Sequence, residues 1–286
     1  MNDVKRSRML TALLLAPAGV FLFFLLVLPL IVMVVYSFGM RAPEGGYEAA
    51  FTFDNYLNLP ARSKAFTNTL FLAPLATLLT VLFAYPMAYF LAVKVSSRWR
   101  NAMLVLVMAP FWTSQLLRYY AWMMILGSRG VPAWLEWIGI SDVRILNTPY
   151  AVLIGAVYGF LPLMVPPIFV SLEKLDKRLL EASADLGATP FNSFRQITLP
   201  LSLPGVATGS MLVLILLMGD YILPQFLGGG KVYFIGNALV DLFLQSRNWP
   251  FGAAVSIALV IIMFVTMYAY MRFVLGKGDS RRVVMV

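Results

Sequence analysis

Long apolar runs alternate with short polar segments along the whole chain. Six of these runs reach about 20 residues, enough for a helix to cross the hydrocarbon core of a bilayer. We expect helices because lipid cannot bond to backbone polar groups, and the alternation typical of barrel strands is absent. The pattern predicts an all-α membrane protein, a single transmembrane domain over residues 1–286 with no second soluble domain. The predicted spans are 9–38, 68–93, 101–126, 148–172, 204–227 and 252–275.

The first apolar run follows a positively charged segment that contains Lys5, Arg6 and Arg8. The run extends from Met9 to about Phe38, which is too long for the apolar core of a cleavable signal peptide. We therefore interpret it as a retained first span.

Composition supports a membrane location and excludes several kinds of chemistry. Hydrophobic residues make up 60% of the chain and charged residues 12%, about half the charged fraction of soluble domains. The absence of Cys and His excludes disulfides, thiolate chemistry and the commonest general base and metal ligand. Basic residues that flank membrane spans explain the net charge of +9, so nucleic-acid binding is not predicted.

The distribution of Lys and Arg predicts how the chain is oriented. Fourteen of the 22 lie on the side of the membrane that holds the N-terminus, and eight lie on the opposite side. Because Lys and Arg accumulate in cytoplasmic segments, we expect both termini in the cytoplasm. The same rule makes segment 173–203 a cytoplasmic loop.

Three segments on the opposite side carry aromatic or amphipathic sequence. Segment 39–67 is mixed in charge and contains several aromatics, while 131–139 and 235–246 are typical of short interfacial helices. These segments either cap the helix bundle or together form a landing surface for an extracytoplasmic partner.

The longest polar stretch of the chain, EASADLGATPFNSFRQITLP at residues 181–200, is named the polar loop here. We expect Asp176 to cap a short helix and Gly187 to end it in a left-handed turn. Thr189 then caps a second short helix with Pro190 at its first position, and Leu199-Pro200 ends that helix. Apolar residues at a spacing of three predict a contact surface on the second helix. They are Phe191, Phe194 and Ile197.

The polar loop resembles the cytoplasmic coupling loop of binding-protein-dependent ABC importer permeases. That loop reads Glu-Ala-small, three residues, Gly, nine further residues and then Ile-x-Leu-Pro. Ser183 replaces the usual second Ala, which is an exchange of one small residue for another. The anchors present are Glu181, Ala182, Gly187, Ile197, Leu199 and Pro200.

Further segments are similar to the permease subunits of spermidine/putrescine importers. They are PFWTSQLLRYY (110–120), SLEKLDKRLLEASADLGA (171–188), GDYILPQFLGG (219–229) and RNWPFGAA (247–254). The resemblance implies the type I ABC importer permease fold in a bacterial inner membrane. It also implies a second homologous permease forming a heterodimer, two ABC ATPase subunits that hold ATP and Mg²⁺, and a periplasmic substrate-binding protein. The residues that it implies for ATPase coupling are Glu181, Ala182, Ser183, Asp185, Gly187 and Ala188.

The chain lacks the phosphate-binding loop that an ATPase needs. That loop reads G-x-x-x-x-G-K-[ST], so that backbone amides and the Lys surround the phosphates. Gly228-Gly229-Gly230-Lys231 is followed by Val232 and has no matching upstream glycine. We therefore predict a permease subunit that is not itself an enzyme, with no cofactor or metal of its own.

Asp220 is the one acid well inside a predicted span. An ionised Asp at the centre of a membrane helix costs about 2.5–3.5 kcal/mol on insertion scales. Such a residue faces a translocation path, where it favours a cationic substrate, or it makes a structural hydrogen bond to a neighbouring helix. Tyr221 beside it is suited to cation–π attraction. Related polyamine permeases carry an acid at the matching position.

Trp112, Arg118, Tyr119 and Tyr120 cluster at the outer end of the third predicted span. They either line the path or anchor the span at the membrane interface, and Trp112 and Tyr119 are the candidates for the path. Arg118 would repel a cation unless it pairs with an acid.

Gly205 and Gly209 form G-x-x-x-G at the start of the fifth predicted span. This spacing permits close approach of two helices. We expect tight packing within the subunit ahead of a role between permeases.

The sequence predicts a permease for polyamines or similar small organic cations, and alternatives remain. The same machine could carry another small solute, such as an amino-acid derivative or an opine. An ion-coupled secondary transporter would need intramembrane coupling groups and often internal repeats, and one buried acid without His argues against it. A membrane-embedded enzyme lacks support because metal-ligand clusters, a His base and a Cys nucleophile are missing.

Overall fold

The structure, a computed structural model, describes residues 2–274, and they are almost entirely helical. Within that range β-structure is confined to one isolated bridge between Met40 and Glu48. The predicted all-α class is confirmed. Residue 275 of the last predicted span lies outside the described residues, as do Lys277, Arg281 and Arg282.

The chain divides into two compact units, and the first joins the N-terminal segment up to Ala61 with Leu239–Ile261. An apolar helix runs through its N-terminal part, and from Leu13 to Ser37 it is long enough to cross a membrane. It consists of α1 (Asn2–Leu22), a π turn (Phe23–Val27) and α2 (Leu28–Ser37), followed in the chain by the short α3 (Asp54–Leu57).

An aromatic cluster and two long-range hydrogen bonds order the loop after α2. The Phe38 ring lies 5.2–5.4 Å from the rings of Phe51, Phe53 and Tyr56. The Arg41 guanidinium donates to the Ser246 carbonyl at 2.8 Å, and the Gly46 N–H donates to the Arg247 carbonyl at 2.7 Å. Within segment 39–67, Arg41 and Gly46 are thereby fixed to the chain that precedes the last helix.

The second unit joins Arg62–Ala238 with the chain from Ile262 onward. Its core is built where α8 packs against both α4 and α11. A 3₁₀ turn (Leu59–Arg62) leads into α4, and a π turn (Phe90–Lys94) follows it. The helices that lie wholly in this unit are α4 (Ser63–Tyr89), α5 (Ser97–Met108), α6 (Gln115–Leu126), α7 (Val131–Trp137), α8 (Pro149–Glu173), α9 (Lys177–Asp185), α10 (Pro190–Ser193), α11 (Leu199–Gly219) and α12 (Ile222–Leu227). The last two helices, α13 (Ile235–Val240) and α14 (Trp249–Val274), each have residues in both units.

Small residues let these helices approach closely. Ala73, Ala84 and Ala88 of α4 have no exposed surface. On α11, a Cβ at Gly205 would overlap the Pro167 carbonyl oxygen of α8, and one at Gly209 would lie 2.8 Å from the Met164 sulfur. The G-x-x-x-G pair therefore packs within the subunit, as expected.

The third predicted span, 101–126, is broken into two helices of 12 residues. A 3₁₀ turn (Ala109–Trp112) separates α5 from α6, and Thr113 is extended with ψ of 154°. Pro110 lacks the N–H that would continue the α-helix. The Thr113 hydroxyl and N–H both donate to the Pro110 carbonyl, at 2.7 and 3.2 Å. Among the described residues, five uninterrupted helices are long and apolar enough to cross a membrane, and this pair is consistent with a sixth crossing.

The fifth predicted span differs from the structure at both ends. The helix does not stop at Leu199-Pro200: it runs from Pro190 to Gly219 through a π turn (Phe194–Thr198). Pro200 cannot donate to the carbonyl four residues earlier, and the wider π turn accommodates that missing bond. Pro204, expected to open the span, lies inside α11. The helix then ends before Asp220, within the predicted span 204–227.

Candidate functional site

The loop helix α9 begins and ends with the caps that its sequence predicts. The Asp176 carboxylate accepts the backbone N–H two residues later at 3.0 Å. Gly187 has φ of +79°, a left-handed conformation that favours glycine. Its N–H donates to the Ala184 carbonyl at 2.9 Å, and the Ala188 N–H donates to the Ser183 carbonyl at 3.0 Å. These two bonds form a Schellman motif, which fixes the direction of the chain after α9.

The helix after this turn also starts as predicted. The Thr189 hydroxyl accepts the backbone N–H of Asn192 at 3.3 Å. Pro190 occupies the first turn, where its missing N–H leaves no helical bond unmade. The polar loop is therefore two capped helices joined by a defined bend.

Ser183, which stands where the resembling loops carry Ala, links the two helices of the bend. Its side chain is 9% exposed. Its hydroxyl donates to the Leu180 carbonyl at 2.8 Å and lies 2.7 Å from the Ser193 hydroxyl. The substitution thus adds a hydrogen-bonded contact between α9 and α10, which sequence spacing alone does not predict.

The polar loop presents an exposed surface of mixed character. Glu181, Ala182 and Asp185 are exposed on α9. Leu186 at the end of that helix is 88% exposed, and Phe191 at the start of the next is 69% exposed. Large apolar side chains this exposed, next to carboxylates and on a rigid bend, are typical of a contact surface for another protein.

Phe194 connects the polar loop to the helix bundle. Its ring packs edge-on against Tyr85 at 5.7 Å and Tyr89 at 6.3 Å, both at the C-terminal end of α4. The Tyr85 hydroxyl lies 2.9 Å from the Ser202 hydroxyl of α11. The stripe expected at Phe191, Phe194 and Ile197 is therefore divided, since Phe191 faces outward while Phe194 packs inside.

Asp220 occupies a break between α11 and α12. Its ψ of 134° ends α11, and its Oδ1 accepts the N–H groups of Ile222 and Leu223 at 2.9 and 3.3 Å. One carboxylate oxygen thus caps the start of α12. The other, Oδ2, is buried without a hydrogen-bond partner. The acid expected at the centre of a helix instead lies at a discontinuity, with one oxygen free.

Of the aromatic candidates, the structure brings Tyr119 and Tyr221 near this acid. Tyr119 is 1% exposed and lies close enough to both Asp220 and Arg118 to interact electrostatically. The amide of Gln115 donates to the Tyr119 hydroxyl at 2.8 Å. Tyr221 follows Asp220 directly and is 45% exposed.

The other three candidates of the third predicted span, Trp112, Tyr120 and Arg118, lie in different surroundings from one another. Trp112 is 72% exposed in the 3₁₀ turn between α5 and α6. The Tyr120 ring packs against Phe226 of α12 at 5.0 Å. Arg118 has its Nε and one terminal nitrogen buried without a hydrogen-bond partner. Two buried guanidinium nitrogens of Arg118 and one buried carboxylate oxygen of Asp220 therefore lack hydrogen-bond partners in the neighbourhood of Tyr119.

Comparisons with known proteins identify the family of this chain. The family described as "Binding-protein-dependent transport system inner membrane component" matches residues 84–275. The spermidine/putrescine transport system permease protein PotB of Haemophilus influenzae is 42% identical over 256 residues, covering 88% of this chain and 89% of that protein. PotB of Escherichia coli is 41% identical over 250 residues, covering 86% and 90%.

A solved structure shares the fold. It belongs to a bacterial ABC transporter involved in the import of the acidic polysaccharide alginate, and it matches with a TM-score of 0.73 at 21% identity over 99% of both chains. The resemblance to the permease subunits of spermidine/putrescine importers is confirmed by the sequence relatives. The chain belongs to the family of binding-protein-dependent transport system inner membrane components.

Proposed function

We propose that this chain is the permease subunit of an ATP-driven importer that translocates polyamines or similar small organic cations. A periplasmic binding protein delivers the substrate. The observation that carries the proposal is the polar loop, in which an exposed acidic and apolar face sits on a capped bend tied to α4 and α11. The substrate class rests on the two relatives at 41–42% identity, both named as spermidine/putrescine permeases.

The partners follow from the same proposal. A second homologous permease completes a heterodimer, and the assembly contains two ABC ATPase subunits, which hold ATP and Mg²⁺. One of these ATPase subunits docks on the polar loop of this chain. The bias of Lys and Arg supports an orientation with both termini and the polar loop in the cytoplasm. The relatives' inner-membrane family supports a bacterial inner membrane as the location.

Uptake is expected to require the ATPase subunits. Proteoliposomes that contain both permeases, the ATPases and liganded receptor should accumulate labelled spermidine or putrescine when ATP is enclosed. Vesicles with the permeases alone should not, since the chain has no phosphate-binding loop. Accumulation without ATPase, driven by an ion gradient, would establish a secondary transporter instead.

The Asp220 carboxylate is the proposed contact for the cationic substrate. Its Oδ1 caps α12, and its Oδ2 is buried without a hydrogen-bond partner, which leaves this oxygen available to a cation. Tyr221, partly exposed beside it, adds an aromatic face for an ammonium group. Trp112 and Tyr119 also belong to the proposed path, but not as direct contacts of the cation. Trp112 is exposed in the turn between α5 and α6, and Tyr119 is buried against α8.

Asp220→Asn is expected to reduce uptake about tenfold or more with assembly intact. Asn keeps the Oδ1 acceptor that caps α12 and removes only the charge, and a hydrogen bond to a charged group is worth about 1.5–3 kcal/mol. Initial uptake rates of spermidine and receptor-stimulated ATPase activity measure the effect. The control is Asp142→Asn, the same change at an exposed loop acid.

Wild-type uptake by Asp220→Asn would remove Asp220 from the path. A receptor that binds an amino-acid derivative or an opine instead would redirect the substrate assignment.

A further inference from the structure

Asn237 holds the backbone of the break beside Asp220. Its Nδ2 donates to the Tyr221 carbonyl at 2.9 Å and to Gln225 Oε1 at 3.3 Å. Its Oδ1 accepts the N–H of Phe234 at 3.1 Å. The side chain is 5% exposed. Donor and acceptor ends of the amide are both engaged, so its orientation is fixed.

Gly236 brings the same segment directly against the break. A Cβ at this position would lie 2.6 Å from the Asp220 carbonyl oxygen and 2.8 Å from that of Gly219. No other residue fits at this distance. Residues 236–237 therefore run along the backbone of residues 219–221, within contact of every peptide in the break.

The segment that carries Asn237 is itself anchored to α4. The Ile235 N–H donates to the Thr69 hydroxyl at 2.9 Å, and both residues have no exposed surface. The Asn68 amide donates to the Tyr233 carbonyl at 3.1 Å. Asn237 thus acts from a platform whose own position is set by one of the core helices.

We propose that Asn237 is a positioning residue for Asp220, one that directs the free Oδ2 toward the substrate cation. Its bond to the Tyr221 carbonyl fixes the Tyr221–Ile222 peptide, whose N–H donates to Asp220 Oδ1. The capping bonds to α12 hold Oδ1. With both constraints in place, Oδ2 has one direction left. The proposal rests on the function proposed for Asp220 and extends it to a residue 17 positions further along the chain.

The first test separates affinity from turnover in the complete reconstituted transporter. Asn237→Asp keeps the shape and the Oδ1 acceptor but loses the donor to Tyr221, and Asn237→Ala removes both. We expect each to raise the KM of spermidine uptake about tenfold, the effect of losing one hydrogen bond of ordinary strength, with Vmax changed less than about twofold. Asn101→Ala, at an exposed asparagine of α5, serves as control. A lowered Vmax at unchanged KM overturns the proposal, as does failure of Asn237→Asp to assemble.

A second test reports on geometry without relying on transport. The chain contains no cysteine, so Asp220→Cys introduces a single thiol at the break. We expect its modification rate by a cationic thiosulfonate to change about fivefold or more when Asn237→Ala is added, since the Tyr221–Ile222 peptide is then released. Equal rates overturn the positioning role. If Asp220→Asn transports like the wild type, the proposed role of Asp220 fails, while the thiol rates still decide whether Asn237 sets this geometry.

Discussion

Gly187→Val is expected to impair both transport and receptor-stimulated ATP hydrolysis. Gly187 has φ of +79° and ends α9 in a Schellman motif. The left-handed conformation costs an ordinary residue about 1–2 kcal/mol and a β-branched one more. No atom lies within 4 Å of the position where a Cβ would stand. The substitution therefore alters the bend without disturbing packing, and we expect uptake to fall about tenfold or more, together with receptor-stimulated ATPase activity.

Two companion variants separate the bend from the surface that it presents. Gly187→Asn should retain most of the activity, because asparagine tolerates the left-handed region. Glu181→Lys should lose activity with the bend intact, because it reverses a charge on the exposed face of α9. Full receptor stimulation of ATPase activity in both Gly187→Val and Glu181→Lys would contradict docking at the polar loop.

Gly205→Ala is expected to destabilise the permease strongly through a single methyl group. A Cβ at this position would overlap the Pro167 carbonyl oxygen and the Ser171 hydroxyl of α8. Because backbone sits on one side of the contact, the two helices must move apart, and overpacking of this kind costs about 1–3 kcal/mol. The thermal unfolding midpoint of the detergent-purified complex and the yield of folded protein measure the loss.

The matched control for this substitution is Gly19→Ala in α1. That glycine is also inside an apolar helix, and a Cβ there would meet no atom within 4 Å apart from its chain neighbours and the backbone of its own helix. The methyl group should therefore leave the unfolding midpoint unchanged or raise it slightly, since Ala favours a helix over Gly by about 1 kcal/mol. If the two variants behave alike, the crossing of α8 and α11 does not depend on close backbone approach at Gly205.

Local rules explain why the helix caps and the glycine turn of the polar loop are predictable from sequence. Capping by Asp176 and Thr189 and the left-handed turn at Gly187 depend on residues within three positions of each other. The apolar runs likewise report the helices directly, because lipid leaves few other structures possible. The all-α class and the family resemblance follow from such short-range patterns.

Three features of the structure do not follow from the sequence rules that predict the helices and caps. The helix through Pro200 persists because a π turn absorbs the missing bond, and a proline otherwise indicates a helix end. Asp220 is at a break, not in a helix, because its own carboxylate caps α12 while Gly236 packs on the backbone. The role of Asn237 depends on a partner 16 positions away, and no spacing rule indicates that contact.

Helix α4 carries contacts near both of its ends, and its length turns small rotations into large displacements. The Thr69 hydroxyl accepts a hydrogen bond from Ile235, in the segment beside the break, and the Tyr85 hydroxyl is hydrogen-bonded to Ser202 of α11. The rise of 1.5 Å per residue separates these two attachments by roughly 24 Å. A tilt of roughly 10° about the Tyr85 contact therefore carries Thr69 sideways by roughly 4 Å, more than the length of the hydrogen bond that it makes. The segment that contains Asn237 must then either move with α4 or lose its hydrogen bond to it. A small rotation of α4 near the polar loop is therefore expected to produce a larger displacement beside the break at Asp220.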